Sequence, residues 1–288
     1  MRLPLAPILV FAAGASASQD VVRRAGALYL QTDYQASLHI LEGDPAPDAE
    51  TYLLTGKNYF MSGNYKKSVE FFQKSLAISP GSSEAELWLG RAFGRRAETG
   101  AWLTAAPNAI RARQCFEKAI ALDPDNREAK NDLFAFYLDA PGVLGGGIDK
   151  AEAAAKSIAS ERPAEYEFEE ARLAEHLKDY AAAETHLRRA VELAPGETGR
   201  MLDLARFLAK RGRFTESDAL FEQARKIAPE HPGVDFAEAA ALVENRRNLD
   251  RARTLLQDYL KAALTPDDPP RQEATKLLAL ANSGANKK

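Results

Sequence analysis

One short pattern recurs along the chain and constrains the fold more than any other feature. In the stretch ARQCFEKAIALDP, a small residue is followed by a large apolar residue, a second small residue and then a proline. The copies begin at Ser68, Ala112, Ala151, Ala183 and Ser217, and a degraded copy begins at Ala252. Because residues three and four apart share one face of a helix, each copy marks an apolar helix face. The proline marks the end of that helix, since it has no backbone N–H to donate.

A second apolar helix precedes these copies and carries a small residue at a fixed place. These small residues are Gly56, Gly90, Ala171 and Ala205. They allow two helices to approach closely, and the large residue of the following helix fills the remaining space. A single hairpin cannot bury its apolar stripe alone, so the hairpins must stack. Residues that favour helices dominate the composition and strand-like alternation is absent, so the sequence predicts an all-α chain.

Together these patterns resemble the tetratricopeptide repeat, a helix–turn–helix unit with the pattern W-x2-L-G-x2-Y…A-x3-F…P. The resemblance covers about residues 49–266. It implies a right-handed superhelical solenoid of stacked helix hairpins and a role in protein–protein interaction. More narrowly, LWLGRAFGRRAE and FYLDAPGVLGGGIDKA are similar to segments of exported bacterial proteins with these repeats, which adds no activity.

The register of the repeats predicts how the chain is divided. We expect a signal peptide over 1–17, a capping hairpin over 18–48, five repeats over 49–82, 83–126, 127–163, 164–197 and 198–231, a degenerate repeat over 232–266, and a capping helix with a tail over 267–288. Extra residues around 97–111 and 140–149 lengthen the second and third repeats between their two helices. We expect both inserts to project from the same edge of the solenoid, and the sequence leaves their role open.

The N-terminus has the three parts of a secretory signal. Arg2 supplies a positive start, an apolar run follows, and Ala15-Ser16-Ala17 is a small-residue cleavage site. The apolar run is shorter than the ~20 residues of a membrane-spanning helix. We expect cleavage after Ala17, a periplasmic or secreted bacterial protein, and no integral membrane segment in the mature chain. The alternatives are an uncleaved anchor and a cytoplasmic chain with an apolar start.

Composition and motifs argue against several functions. The 38 basic and 41 acidic residues are interspersed, with no basic block for nucleic acid. The single cysteine, Cys115, excludes an intramolecular disulfide and a cysteine-based metal cluster. The four histidines lack metal-ligand spacing, and the glycines at 142–147 are followed by Ile148-Asp149 rather than by the Lys and Ser/Thr of a phosphate-binding loop. We therefore expect no enzyme activity and no cofactor.

The resemblance also implies a concave groove, lined by the first helix of each repeat, which holds a partner segment. In the register of the repeats, one row of this groove would be Lys57, Arg91, Ala135, Arg172 and Arg206, with Arg95 and Lys210 one turn further on and Asn131 and Phe168 beside them. A ladder of cations beside apolar positions would suit an acidic partner segment. The carboxylate clamp known in the family is not matched, because Leu53 stands where a lysine is required. Alternatively, these bases pair with nearby acids and keep the surface soluble, at about 0–1 kcal/mol for each pair.

Three functions remain open at this point. The first is a non-enzymatic scaffold that assembles proteins of the cell envelope. The second is a periplasmic chaperone-like holdase, which a broad apolar groove would favour. The third is an accessory subunit of an envelope enzyme complex, or an enzyme centred on the two inserts, which a deep polar pocket between the inserts would favour.

Overall fold

The computed structural model describes residues 9–285 of the 288-residue chain, with the side chains of residues 18–101 and 103–283. Within this range, every regular element is helical. Contacts between Cα atoms divide the chain into two compact units, residues 1–147 (unit 1) and residues 148–288 (unit 2). The boundary falls inside the predicted third repeat. None of the helices in the described range is long and apolar enough to cross a membrane.

Unit 1 consists, in its described part, of seven α-helices and a short 3-10 helix. Their bounds are α1 Leu9–Leu30, α2 Tyr34–Glu42, α3 Ala49–Met61, α4 Tyr65–Ile78, α5 Ser83–Thr99, α6 Trp102–Leu122, α7 Arg127–Asp139 and the 3-10 helix Gly142–Leu144. The pairs α1/α2, α3/α4 and α5/α6 pack as hairpins, and each hairpin packs against the next helix of the chain.

Unit 2 continues the same arrangement with eight helices in its described part. Their bounds are α8 Ile148–Ile158, α9 Pro163–His176, α10 Tyr180–Leu193, α11 Thr198–Lys210, α12 Phe214–Ile227, α13 Pro232–Glu244, α14 Leu249–Lys261 and α15 Arg271–Ala285. Hairpins form from α9/α10, α11/α12 and α13/α14, and α15 packs against α13 and α14. Ala274 and Ala281 of α15 are fully buried, so this helix covers the apolar side of the hairpin that precedes it.

The small residues of the first helices have the packing role that the pattern predicts. A Cβ atom added at Gly56 would lie 2.5 Å from the ring of Phe72, and one at Gly90 would lie 2.6 Å from the ring of Phe116. Both rings are buried. The aromatic side chain of the second helix therefore occupies the space that the missing side chain leaves on the first helix.

The turns inside the hairpins share one backbone feature. The residue before the N-cap of the second helix has a positive φ in four of them: Thr32 (60°), Gly63 (77°), Lys178 (63°) and Gly212 (75°). Glycine adopts this left-handed conformation without steric cost, whereas a threonine or lysine there is strained. The turn between the two helices of a hairpin therefore has the same backbone conformation whether this position is a glycine or not.

The first insert lies at the junction of the two helices of its repeat, but it does not form a separate connecting segment. Residues 97–111 are almost entirely helical: α5 runs to Thr99, α6 begins at Trp102, and only residues 100–101 connect them. The extra residues therefore lengthen both helices. Pro107 lies inside α6, where its missing N–H leaves one backbone carbonyl without its usual partner. The second insert is a 3-10 turn followed by glycines, in which Gly145 (97°) and Gly147 (150°) have positive φ.

The region predicted as a capping hairpin is joined to the first repeat by partly buried side-chain hydrogen bonds. The hydroxyl groups of Ser18 and Thr51 each donate to the Asp44 carboxylate, both at 2.9 Å. The Ser37 hydroxyl donates to the backbone carbonyl of Ala25, also at 2.9 Å, and this bond connects α1 and α2. Residues 1–8 of the predicted signal peptide, and residues 286–288 of the predicted tail, lie outside the described residues.

Candidate partner-binding surface

The predicted bases of α3 and α5 are held by acids from the next first helix. Lys57 forms an ion pair with Glu84, and its ammonium lies 5.2 Å from the centre of the Trp88 ring. Arg91 pairs with Glu128 at 2.8 Å and also with Asp132, both on α7. These positions therefore connect successive hairpins inside unit 1.

The two other predicted residues of unit 1 lie beside this row. Arg95 pairs with Glu98 on its own helix and donates from Nε to the hydroxyl of Tyr65 at 3.3 Å. Asn131 is half-buried on α7. The predicted bases of α3 and α5 (Lys57, Arg91 and Arg95) therefore pair with acids of the same unit.

Unit 2 contains a groove that brings together the other four predicted residues. We call it the unit-2 groove, and its volume is 250 Å³. It is lined by Phe168, Ala171, Arg172, Glu175, Leu187, Asp203, Arg206, Phe207, Lys210 and Glu244. Apart from Leu187 of α10, these residues belong to α9, α11 and α13, the first helices of their hairpins. The register placed Phe168, Arg172, Arg206 and Lys210 on a shared surface, and the structure places them there.

The groove lining has balanced formal charge, which the register did not reveal. Three basic side chains face three acidic ones, namely Glu175, Asp203 and Glu244. A signal for one of the acids was present in the sequence, because Asp203 stands at the same place in its repeat as Asp132 and Glu169. The sequence predicted a mainly basic row because only one position of the first helix in each repeat was compared.

Asp203 organises the charges at the centre of the groove. Its carboxylate accepts from Arg206 at 2.6 Å and lies 3.4 Å from Arg200. Burial raises the pKa of the Asp203 carboxyl, and the charge of Arg206 and its hydrogen bond act in the opposite direction. Lys210, by contrast, is exposed and makes no ion pair in the described part of the chain. Its ammonium is therefore available to another molecule.

Apolar side chains form the floor of the groove. Leu187 and Phe207 are buried, while Phe168 is half-buried and its ring lies 4.1 Å from the Arg200 guanidinium. Leu187 and Phe207 are thus almost inaccessible to solvent, and the part of the floor that a partner could contact is the half-buried ring of Phe168. A surface with an apolar floor and charged walls is suited to holding a peptide segment by side-chain anchors.

Two other reactive side chains outside the groove are Cys115 and His186. Burial raises the pKa of the Cys115 thiol to about 12, and the neighbouring Glu86 carboxylate adds to the effect, so the thiol stays protonated. His186 Nδ1 lies 2.7 Å from Glu167. Among the described residues, no group of three His, Cys, Asp or Glu side chains could hold a metal ion. The fold and this surface define a helical-repeat scaffold.

Comparisons with known proteins agree with that class. Models of the tetratricopeptide repeat family match residues 49–82, 145–198 and 199–231. These three segments are tetratricopeptide repeats, so the chain contains repeats of this family, and the predicted all-α fold of stacked hairpins is confirmed. Proteins of this family are generally protein-interaction scaffolds, and the fold is typically non-catalytic.

Two solved structures are similar in fold. A tetratricopeptide repeat protein from Parabacteroides merdae has a TM-score of 0.59 at 11% identity, over 93% of this chain and 99% of that chain. A thermophilic protein with these repeats from Thermus thermophilus has a TM-score of 0.52 at 20% identity, over 70% of this chain and 98% of that chain. The search of curated proteins found no match. At these identities the similarity concerns the fold.

Proposed function

We propose that this protein is a non-enzymatic scaffold that binds a segment of a partner protein in the unit-2 groove. The observation that carries the proposal is the groove itself: three first helices leave 250 Å³ of space above an apolar floor. Extended peptides and helices dock into such grooves by placing apolar anchors on the floor and charged groups on the rim.

The lining determines which partner segment would fit. An apolar anchor of the partner would pack on the accessible edge of Phe168. A carboxylate of the partner would pair with Lys210, whose ammonium has no internal partner in the described residues. The acidic partner predicted from the sequence therefore remains part of the proposal. Glu175 and Glu244 on the rim also make no ion pair among the described residues. A partner segment with side chains of both charges would therefore match the rim better than a purely acidic one.

The mixed lining bears on the alternatives. A holdase for unfolded chains would be favoured by a broad apolar groove, and this one has six ionisable side chains among its ten lining residues. An enzyme centred on the inserts would be favoured by a pocket between them, and the groove lies on other helices. The scaffold is therefore the function that these observations support best.

We also propose that the scaffold works outside the cytoplasm, since residues 1–17 have the composition of a secretory signal. N-terminal sequencing of the protein from the host envelope fraction tests this. A mature chain that begins at Ser18 is expected, and a chain that still begins at Met1 would contradict export with cleavage.

The binding proposal is tested with a charge reversal and a matched control. Lys210→Glu changes the groove, while Lys226→Glu changes a lysine that is also exposed and also lies in the last turn of its helix, α12. Both variants carry the same penalty from the helix dipole. The partner is first captured from the envelope fraction, and its affinity is then measured by titration calorimetry with the purified proteins.

We expect Lys210→Glu to weaken binding about tenfold, which corresponds to about 1.4 kcal/mol. We expect Lys226→Glu to leave the affinity within about twofold of the parent chain, because it is remote from the groove and rim charges away from an interface contribute little. Equal affinity for both variants and the parent chain would rule out the groove as the binding surface.

A further inference from the structure

A second cavity lies at the turns of unit 1, and none of the residues predicted for partner binding lines it. We call it the turn pocket, and its volume is 490 Å³. It is lined by Ser62, Gly63, Asn64, Tyr65, Lys66, Arg96, Thr99, Gly100, Thr104 and Asn108. The turn between α3 and α4 forms one wall, and the extended ends of α5 and α6 form the other. The first insert therefore creates this pocket by lengthening two helices.

The charge of the turn pocket is one-sided. Lys66 and Arg96 are its ionisable cations, and none of its ten lining residues is acidic. Neither cation makes an ion pair within residues 9–285, and Arg96 instead lies 5.9 Å from the centre of the Phe93 ring. The acid one turn after Lys66, Glu70, is paired with Lys74 at 2.7 Å. Both cations of the pocket are thus available to an anion.

The N-terminus of α6 adds to the positive potential. Ala101 provides no side-chain cap, and the first turn contains no acidic residue, although α6 is 21 residues long. The first N–H groups of a helix have no intrahelical acceptor, and they carry the positive end of the helix dipole. The neighbouring Gly100 also lines the pocket, and a Cβ there would lie 2.5 Å from the Arg96 carbonyl oxygen, so this position requires glycine.

An independent observation comes from Asn108. Asn108 lines the pocket and is only 5% exposed, and its side chain has no hydrogen-bond partner within the part of the chain that the structure describes. Its amide is open to the pocket and is not among the polar groups sealed in the protein interior. A ligand in the pocket can therefore accept a hydrogen bond from this amide.

We propose that the turn pocket binds the phosphate group of a small soluble molecule. A phosphate monoester carries about −1.5 to −2 charge at pH 7 and has three strong acceptor oxygens. Two cations and a helix N-terminus match that charge better than they match the single charge of a carboxylate. The amide of Asn108 and the hydroxyl groups of Ser62 and Thr104 supply neutral partners. The volume lies in the range of about 300–1,000 Å³ that small-molecule sites occupy.

The structure offers a matched control for the test. Arg96 and Arg111 both lie over the Phe93 ring, at 5.9 and 5.4 Å, but only Arg96 lines the pocket. Arg96→Gln and Arg111→Gln therefore remove the same charge and a similar ring contact. Inorganic phosphate and acetate are the probes, titrated calorimetrically into the full chain at constant ionic strength, which keeps non-specific screening equal.

We expect phosphate to bind with a dissociation constant on the order of 1 mM or tighter, and acetate to bind at least about tenfold more weakly. Arg96→Gln is expected to weaken phosphate binding about tenfold, and Arg111→Gln less than about twofold. Absence of phosphate binding, equal binding of acetate, or equal loss in the two arginine variants would each overturn the proposal.

A second variant keeps the proposal testable if Arg96→Gln misfolds. Asn108→Leu replaces the buried amide by an apolar side chain of similar size. We expect phosphate to raise the melting temperature of this variant by less than it raises that of the parent chain, because one hydrogen bond to the anion is lost. An undiminished increase with phosphate would show that Asn108 is not part of a phosphate site.

Discussion

The packing of the repeats can be tested at two glycines of one helix. Gly90 and Gly94 both lie in α5, one turn apart. A Cβ at Gly90 would lie 2.6 and 2.7 Å from two ring carbons of Phe116 and 3.2 Å from the Ala112 carbonyl oxygen, whereas a Cβ at Gly94 would meet nothing within 4 Å. The same substitution, Gly→Ala, therefore has opposite consequences at the two positions.

The magnitudes follow from two opposing effects. Alanine in place of glycine in a helix interior gains about 1 kcal/mol. Forcing a methyl group into a packed contact costs about 1–3 kcal/mol. We expect Gly94→Ala to stabilise the chain by about 0.5–1 kcal/mol, and Gly90→Ala to be less stable than Gly94→Ala by about 1–3 kcal/mol.

The assay is urea denaturation followed by circular dichroism, with the midpoint compared at constant slope. Combining Gly90→Ala with Phe116→Leu should recover about 1 kcal/mol relative to the sum of the single changes, because the ring that meets the new methyl group is gone. A Gly90→Ala variant as stable as Gly94→Ala, or a double variant without coupling, would refute the packing described for the hairpins.

Three further predictions follow from strained or buried groups. Lys178→Gly should raise the free energy of unfolding by about 1 kcal/mol, because the backbone there is left-handed, and Gly212→Lys should lower it by a similar amount. Burial raises the pKa of the Glu169 carboxyl to about 7, so in the native state this group holds a proton that the unfolded chain releases near pH 4.5. Glu169 thus costs stability progressively as pH rises from 4.5 to 7, and Glu169→Gln should stabilise the chain by about 2 kcal/mol at pH 8 and hardly at pH 4.5. Cys115 should react with iodoacetamide at pH 8 only after unfolding, since burial keeps its thiol protonated.

Each of these has a measurement that would contradict it. Urea midpoints for the two turn variants that shift in the same direction would remove the argument from backbone strain. Equal stability of Glu169→Gln and the parent chain across pH 4–9 would show that this carboxyl is not titrating near neutrality. Alkylation of native Cys115 at the rate of a free thiol, read by mass spectrometry, would contradict its burial.

The sequence could predict the hairpins because their determinants are local. Gly56 and Phe72 lie at fixed distances from the ends of their helices, so helical spacing alone indicates which side chains meet. The first insert could not be read in this way. The register of the repeats placed extra residues around 97–111 between two helices, but the residues on both sides of Gly100 continue those helices and lengthen an existing hairpin contact.

The sequence could predict only part of the candidate surface. Lys57 and Glu84 are 27 residues apart, and Arg91 and Asp132 are 41 apart, so their pairing depends on how hairpins stack. The spacings differ partly because the insert intervenes and partly because Asp132 lies one helical turn beyond the place that Glu84 has in its repeat, and a fixed repeat length gives neither. The turn pocket depends on the same stacking, since it joins residues 62–66 to residues 96–108.

The central claim is that a partner segment lies in the unit-2 groove, and photo-crosslinking tests it most directly. A photoreactive amino acid is placed at position 210 of the groove or at position 226 on α12 in otherwise unchanged protein, and the host envelope fraction is irradiated. The account predicts one discrete crosslinked partner from position 210 and none from position 226. Crosslinks of equal yield from both positions, or from position 226 alone, would contradict it.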